Sequence, residues 1–168
     1  MTLDRLWAGW RADYVGASGD EVPREEGCVL CRVVKEPGAV VWRGERVAVI
    51  LNAYPYTTGH VMAVPLRHVA DLEGLDGAEA AELWAAATDA VRAIKAAYRP
   101  HGLNVGANVG RAGGAGVPGH LHVHVVPRWD GDTNFMTTVA ETRVLPESLD
   151  ATHARLKQAW PSARSDGA

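Results

Sequence analysis

The segment 120-HLHVHVVP-127 alternates imidazole and apolar side chains and constrains the fold more than any other stretch of the chain. An extended strand sends successive side chains to opposite faces. The pattern therefore predicts a strand over 120–127 whose Leu121, Val123 and Val125 enter a hydrophobic core while His120, His122 and His124 share the other face. Immediately upstream, 111-RAGGAGVPG-119 is glycine-rich, so its backbone can adopt conformations closed to other residues and present N–H groups to an anion.

The other elements fit around such a strand. The runs AVVWRG, RVAVILN and HVMAVPL between 38 and 66 are short, rich in β-branched residues and separated by turn residues, which predicts consecutive antiparallel strands in a meander. Asp76 followed by Glu79 has the form of a capping box, and Leu83, Ala87, Val91, Ile94 and Tyr98 form one helical face that ends before Pro100. A further strand is expected over 103–110, and Leu149, His153, Leu156 and Trp160 predict a C-terminal helix. Leu83, Trp84 and Met62 read as core, and His101 and His153 as surface residues. The sum is a single α+β domain over 1–168, with an antiparallel sheet of about five strands, a long helix and a C-terminal helix. Residues 1–25, with Trp7 and Trp10, read as an extension lying across a surface, and 163–168 as a disordered tail.

Composition narrows the function classes. With 168 residues, 47% of them apolar, there is material for one core, and a net charge of −3 gives no reason to expect nucleic acid or an anionic membrane as partner. No stretch is long and apolar enough for a membrane span, and the opening MTLDRLWAGWRADYV is broken by charge, so a cytoplasmic protein is expected. Cys28 and Cys31, in 27-GCVLC-31, are too close for an ordinary structural disulfide and suit metal or redox chemistry.

Three readings of the histidine row compete: a chance polar face, ligands of a catalytic zinc ion, or a nucleophile flanked by donors to a phosphate. The glycine loop favours the last. Asp130 and Asp132, the nearest candidates for a metallohydrolase base, lie beyond Pro127, where the strand is expected to have ended.

The segment His120 to Val126 fits the His-φ-His-φ-His-φ-φ signature and resembles the histidine triad (HIT) family of nucleotide hydrolases and transferases. The resemblance extends through Asn52, 55-PYTTGH-60, 65-PLRH-68 and 102-GLNVGANVG-110, from about Cys28 to Phe135, and the run PRWDGDTNF is similar to a branch that includes bacterial diadenosine tetraphosphate phosphorylases. It implies that His122 is the nucleophile and carries a nucleotidyl group. The backbone carbonyl of the third histidine would hold its ring, with His124 and His60 as donors around the phosphate and His120 in support. Asn52 would bind ribose, Asn108 would orient the polyphosphate, and Val47 to Leu51 would wall the base. Many relatives carry a hydroxyl just before the triad. Here 112-AGGAGVPG-119 has none, leaving the N–H groups of Gly114, Ala115 and Gly116 as substitutes and Arg111 as a partner for distal phosphates. Trp129 is a candidate to stack on a base. The resemblance also implies a structural zinc on Cys28, Cys31, His68 and His120, no organic cofactor, and a homodimer or tetramer. The acceptor of the nucleotidyl group, water or phosphate, stays open.

Overall fold

The computed structural model describes residues 25–132 and 146–161. The extension with Trp7 and Trp10, the Asn-Phe end of PRWDGDTNF and the tail from 163 fall outside the described residues.

Three β-branched runs form β1 (Val40–Arg43), β2 (Val47–Leu51) and β3 (Val61–Pro65), the expected meander. The chain then crosses through the long helix α2 (Gly77–Tyr98) to β4 (Gly102–Ala107) and returns as β5 (Val123–Arg128). The sheet order is β1-β2-β3-β5-β4 with every pair antiparallel, so the histidine strand lies between β3 and β4 rather than at an edge. A short helix α1 (Val29–Val33) precedes the sheet and α3 (Leu149–Ala159) follows it.

Every residue of β2 is buried because both its faces are covered. Val47, Val49 and Leu51 pack in a cluster with Leu83, Ala87 and Ile94 of α2 and Leu156 of α3, while Ala48 and Ile50 pack with Cys28, Leu30 and Cys31 around α1. These side chains, expected from the sequence to give a base its apolar wall, are core residues of the fold. Alanines at 86, 90 and 93 widen the buried stripe of α2 and let the helix approach the sheet.

The capping box forms: the Glu79 N–H donates to Asp76 Oδ1 at 2.7 Å and the Asp76 N–H donates to Glu79 Oε2 at 3.0 Å. Glu79 also accepts two bonds from the Arg67 guanidinium, at 2.8 and 2.6 Å. The helix ends at Tyr98, where Arg99 turns left-handed (φ 48°) ahead of Pro100.

Several expectations are corrected. Trp84 is 50% exposed, whereas its neighbour Leu83 is fully buried, because one step around a helix turns the side chain off the packed stripe. Leu149 is likewise exposed, and the C-terminal helix packs through Thr152, Leu156 and a Trp160–Trp42 stack at 5.6 Å. His153 is not an idle surface residue, since its Nε2 donates to Val40 O at 2.9 Å and ties α3 to β1; His101 Nδ1 accepts from the Asp130 N–H at 3.1 Å. β4 ends at Ala107, short of 110. The regular strand starts at Val123, not His120. Ahead of it, Leu121 turns its N–H to Val69 O (2.7 Å) and His120 bonds Pro65 O through its ring (2.9 Å), so the ladder with β3 gives way to loop and side-chain bonds.

Candidate functional site: a histidine row divided between two centres

His124 pairs with Met62 across β3 and β5, so it faces the side of the sheet on which Met62 packs with α1. His60, two residues before Met62, reaches that same side, and its ring lies 5.1 Å from that of His124. His122 meets His124 edge-on at 4.9 Å. His120 does not join this group: its ring meets His68 at 5.1 Å. One row of alternating residues thus serves two centres.

The first centre is His60, His122 and His124. His60 ends the β2–β3 connection, a loop closed by its own backbone. The Asn52 N–H donates to His60 O and the His60 N–H donates to Thr57 O, both at 3.2 Å. Gly59 takes φ +86°, a backbone conformation that favours glycine, and a Cβ there would lie in tight contact, 3.1 Å, with the Tyr98 ring. Thr57 Oγ1 donates to Pro127 O at 2.8 Å, pinning the loop to β5.

Hydrogen bonds fix the ring protons in sequence. The Tyr56 N–H donates to His60 Nδ1 at 3.1 Å, so that nitrogen is the acceptor and Nε2 carries the proton. His60 Nε2 then donates to His124 Nδ1 at 2.9 Å, which places the His124 proton on Nε2. His122 Nδ1 donates to His120 O at 2.8 Å, leaving Nε2 as a lone pair. Two expectations change accordingly: the carbonyl that holds His122 belongs to the first histidine of the row rather than the third, and His60 directs its N–H at His124.

Burial depresses the pKa of His122 below the ordinary imidazole value, an effect only partly opposed by the bond to His120 O. His124 is lowered to about 4, by burial first and then by the nearby His122. Both rings are therefore neutral near pH 7, the state a nucleophile and a hydrogen-bond donor require. Among the described residues no hydrogen bond joins a carboxylate to either ring: Asp132 binds Arg128 at 2.6 Å through both oxygens, and Asp130 is 94% exposed beside His101.

Of the other sequence candidates, Asn52 reaches this centre and the rest have polar atoms committed within their own loops and turns. Asn52 Oδ1 accepts the Tyr54 N–H at 2.9 Å, and its amide nitrogen lies 3.4 Å from each ring nitrogen of His60. Asn108 donates to Gly114 O at 3.2 Å across the glycine loop. Within that loop the Gly114 N–H bonds Arg111 O and the Ala115 N–H bonds Gly110 O, so two of the three amides expected to serve phosphate are turned inward. Gly116 is exposed and Arg111 partly buried, and Trp129, half-buried, donates its N–H to Asp132 Oδ2 at 3.0 Å. Sequence reasoning missed the Arg128–Asp132 clamp that shapes this turn, although the spacing Arg-x-x-x-Asp was there to read. It also missed the Tyr56 amide, for which no side-chain signal exists.

The second centre gathers the four sulfur and nitrogen ligands expected from the sequence. Cys28, Cys31, His68 and His120 place their ligand atoms within 4.8 Å of one another. His120 Nδ1 lies 3.3 Å from each sulfur, and His68 Nδ1 lies 3.3 Å from Cys31 Sγ. His120 Nε2 donates to Pro65 O, which leaves Nδ1 as the electron-pair donor facing the thiols. Such separations suit a closed tetrahedral ion with bonds of roughly 2.0–2.3 Å, so this Cys2His2 set fits a structural zinc.

Comparison with known proteins agrees with this geometry. The chain is 42% identical over 165 residues to a Mycobacterium tuberculosis protein named AP-4-A phosphorylase, a match covering 94% of this chain and 85% of the relative. It is 30% identical over 112 residues to the protein hit of Bacillus subtilis, covering 66% of this chain and 77% of that protein. Among solved structures, a zinc-bound histidine triad family protein from Mycobacterium smegmatis superposes with a TM-score of 0.65 at 27% identity, covering 81% of this chain and 94% of that one. A hypothetical histidine triad nucleotide-binding protein from Sulfolobus tokodaii gives a TM-score of 0.66 at 29% identity, covering 79% and 91%. The HIT domain matches residues 34–131, and the chain belongs to the HIT family.

Proposed function

We propose that the protein is a phosphate-dependent diadenosine tetraphosphate phosphorylase that works through a nucleotidyl-histidine on His122. The observation that carries the nucleophile is the arrangement of its ring: Nδ1 donates to His120 O, so Nε2 is an outward lone pair on a neutral imidazole. The mycobacterial relative named AP-4-A phosphorylase supports phosphate rather than water as the acceptor.

In the first step His122 Nε2 attacks the phosphorus adjoining one adenosine. A P–N bond forms, the bond to the bridging oxygen breaks, and ATP leaves. The positive charge that develops on the ring is shared through Nδ1–H with the His120 carbonyl. His124 Nε2–H, its direction set by His60, donates to phosphate oxygens as charge accumulates. A polyphosphate leaves as a weakly basic anion and needs no proton, so a neutral donor suffices and the absent hydroxyl of the glycine loop is not required. In the second step an oxygen of inorganic phosphate attacks the same phosphorus, the P–N bond breaks, ADP forms and His122 is restored. Simple nucleotide binding would need no such nucleophile.

Zinc on Cys28, Cys31, His68 and His120 is part of the same proposal, as a structural ion that fastens α1 to the catalytic chain. A homodimer is proposed as well, supported by exposed Trp84 on α2 and by the open edge of β4, where Val105 is exposed.

The test is product analysis with diadenosine tetraphosphate, with and without inorganic phosphate, alongside His122→Ala. ADP plus ATP formed only with phosphate is the expected result. AMP plus ATP formed without phosphate would replace the phosphorylase by a hydrolase, and turnover surviving His122→Ala would remove the mechanism.

A further inference from the structure

Tyr56 lies in the β2–β3 loop and is related to the imidazoles in two separate ways. Its backbone N–H donates to His60 Nδ1 at 3.1 Å. Its ring, 48% exposed, lies 4.7 Å from the His60 ring and stacks on that of His124 at 6.0 Å with an interplanar angle of 26°. One residue thus supplies a hydrogen bond at the far end of the His60–His124 pair and an aromatic cover over both rings.

We propose that Tyr56 is a positioning residue for the nucleotidyl transfer: its amide sets the tautomer of His60, and through it that of His124, while its ring holds the two imidazoles in line. The proposal rests on the phosphorylase reading only for its kinetic consequence, since the tautomers belong to the substrate-free protein.

A neutral imidazole has one N–H and one lone pair, and reversing one ring in a hydrogen-bonded series sets N–H against N–H or lone pair against lone pair at the next junction. The His60–His124 contact alone permits either direction, because His124 Nδ1 could donate to His60 Nε2 as readily as accept from it. The Tyr56 amide removes the ambiguity, because a backbone N–H only donates. Its proton occupies His60 Nδ1, and the alternative direction would leave that amide facing a second N–H. The productive direction is the one in which His124 Nε2–H is free for phosphate oxygens; in the other, His124 would present a lone pair to an anion.

The ring restrains geometry. His124 is only partly buried, and its contact with His60 is a single bond about which the two rings can swing. An aromatic ring tilted against His60 and stacked on His124 limits that motion. Stacking needs the ring and not the phenol oxygen, which separates Phe from Ala at this position.

The experiment is nitrogen-15 imidazole NMR of the substrate-free protein at neutral pH, with single-turnover adenylylation of the same variants. Wild type is expected to show an acceptor-type Nδ1 and a protonated Nε2 on both His60 and His124. Tyr56→Ala keeps the amide and loses the cover, so the His60 tautomer should hold while the His124 ring signals broaden with its motion and the transfer rate falls about tenfold with little change in KM; Tyr56→Phe restores sharp signals and rate. A wild-type spectrum with His124 protonated at Nδ1 would overturn the proposal. So would Tyr56→Ala with an unchanged spectrum and rate, or a folded Tyr56→Phe that behaves like Tyr56→Ala. Correct tautomers in a protein that transfers no nucleotidyl group would instead contradict the phosphorylase reading and leave the positioning role standing on the spectra.

Discussion

His120 occupies both centres at once. Its ring gives one nitrogen to the thiol cluster and the other to Pro65 O, while its carbonyl oxygen holds the His122 ring two residues later. Burial matters as much as the hydrogen bonds, because it lowers the pKa of the neighbouring His122 and, to about 4, that of His124. Diadenosine tetraphosphate has no terminal phosphate, so it does not titrate between pH 5 and 7, and its single-turnover transfer reports on the enzyme alone. A group whose folded pKa is depressed stays neutral as pH falls through the ordinary imidazole value of about 6.5. The rate of nucleotidyl transfer is therefore expected to hold constant through pH 6.5 and to decline only below it. An acid limb centred at or above 6.5 would show that His122 is not the buried neutral base described here.

At the level of elements, the N-terminus of α2 is held by Glu79, which completes the capping box and grips Arg67, the neighbour of His68. The bonds from Arg67, and then that from Asp76, hold the Glu79 carboxyl at about 2. Because this pKa is depressed, the stabilisation is fully present above the unfolded value of about 4.3 and is lost as pH falls toward 2. Glu79→Gln retains a side chain able to close the capping box but loses the charged pair, and urea unfolding at pH 7 is expected to show a loss of about 2 kcal/mol. That difference should shrink steadily below pH 4; a difference independent of pH would contradict the ion-pair account. The capping box, the meander and the stripe Leu83–Ala87–Ile94 were legible in the sequence because each is a local pattern with a fixed period. Helix α1 was not, being five residues long and stabilised by the packing of Leu30 and Cys31. The start of β5 was misplaced for a related reason. Alternation in a sequence reports side-chain direction, and it continues through His120 and His122 even where backbone pairing has stopped.

Across the whole molecule, α2 and α3 cover one face of the sheet, and α1 covers part of the other, where the histidines lie. The motif residues could be read individually from the sequence, but not the division of the row, because His120 turns to the cysteines through contacts spanning 92 and 89 residues. Metal at Cys28, Cys31, His68 and His120 would bind α1, the β3–α2 connection and the histidine row into one unit. Elemental analysis of the purified protein is expected to find one zinc per chain, and its removal by a chelator should lower the melting temperature by several degrees, since a closed Cys2His2 site contributes folding energy. Cys28→Ser should reduce both the metal content and the effect of the chelator. A metal-free protein whose melting is indifferent to zinc would leave the cluster as a set of reduced thiols.

The proposed mechanism stands or falls with a nucleotidyl group on His122. The most direct measurement is the mass of the intact protein, followed by peptide mapping, after acid-free quenching of a reaction with diadenosine tetraphosphate in the absence of inorganic phosphate. A single adenylyl adduct is expected on the peptide containing His122, and it should disappear when phosphate is added and yield ADP. Turnover without any adduct in wild type, or an adduct mapped to His60 or His124, would contradict it.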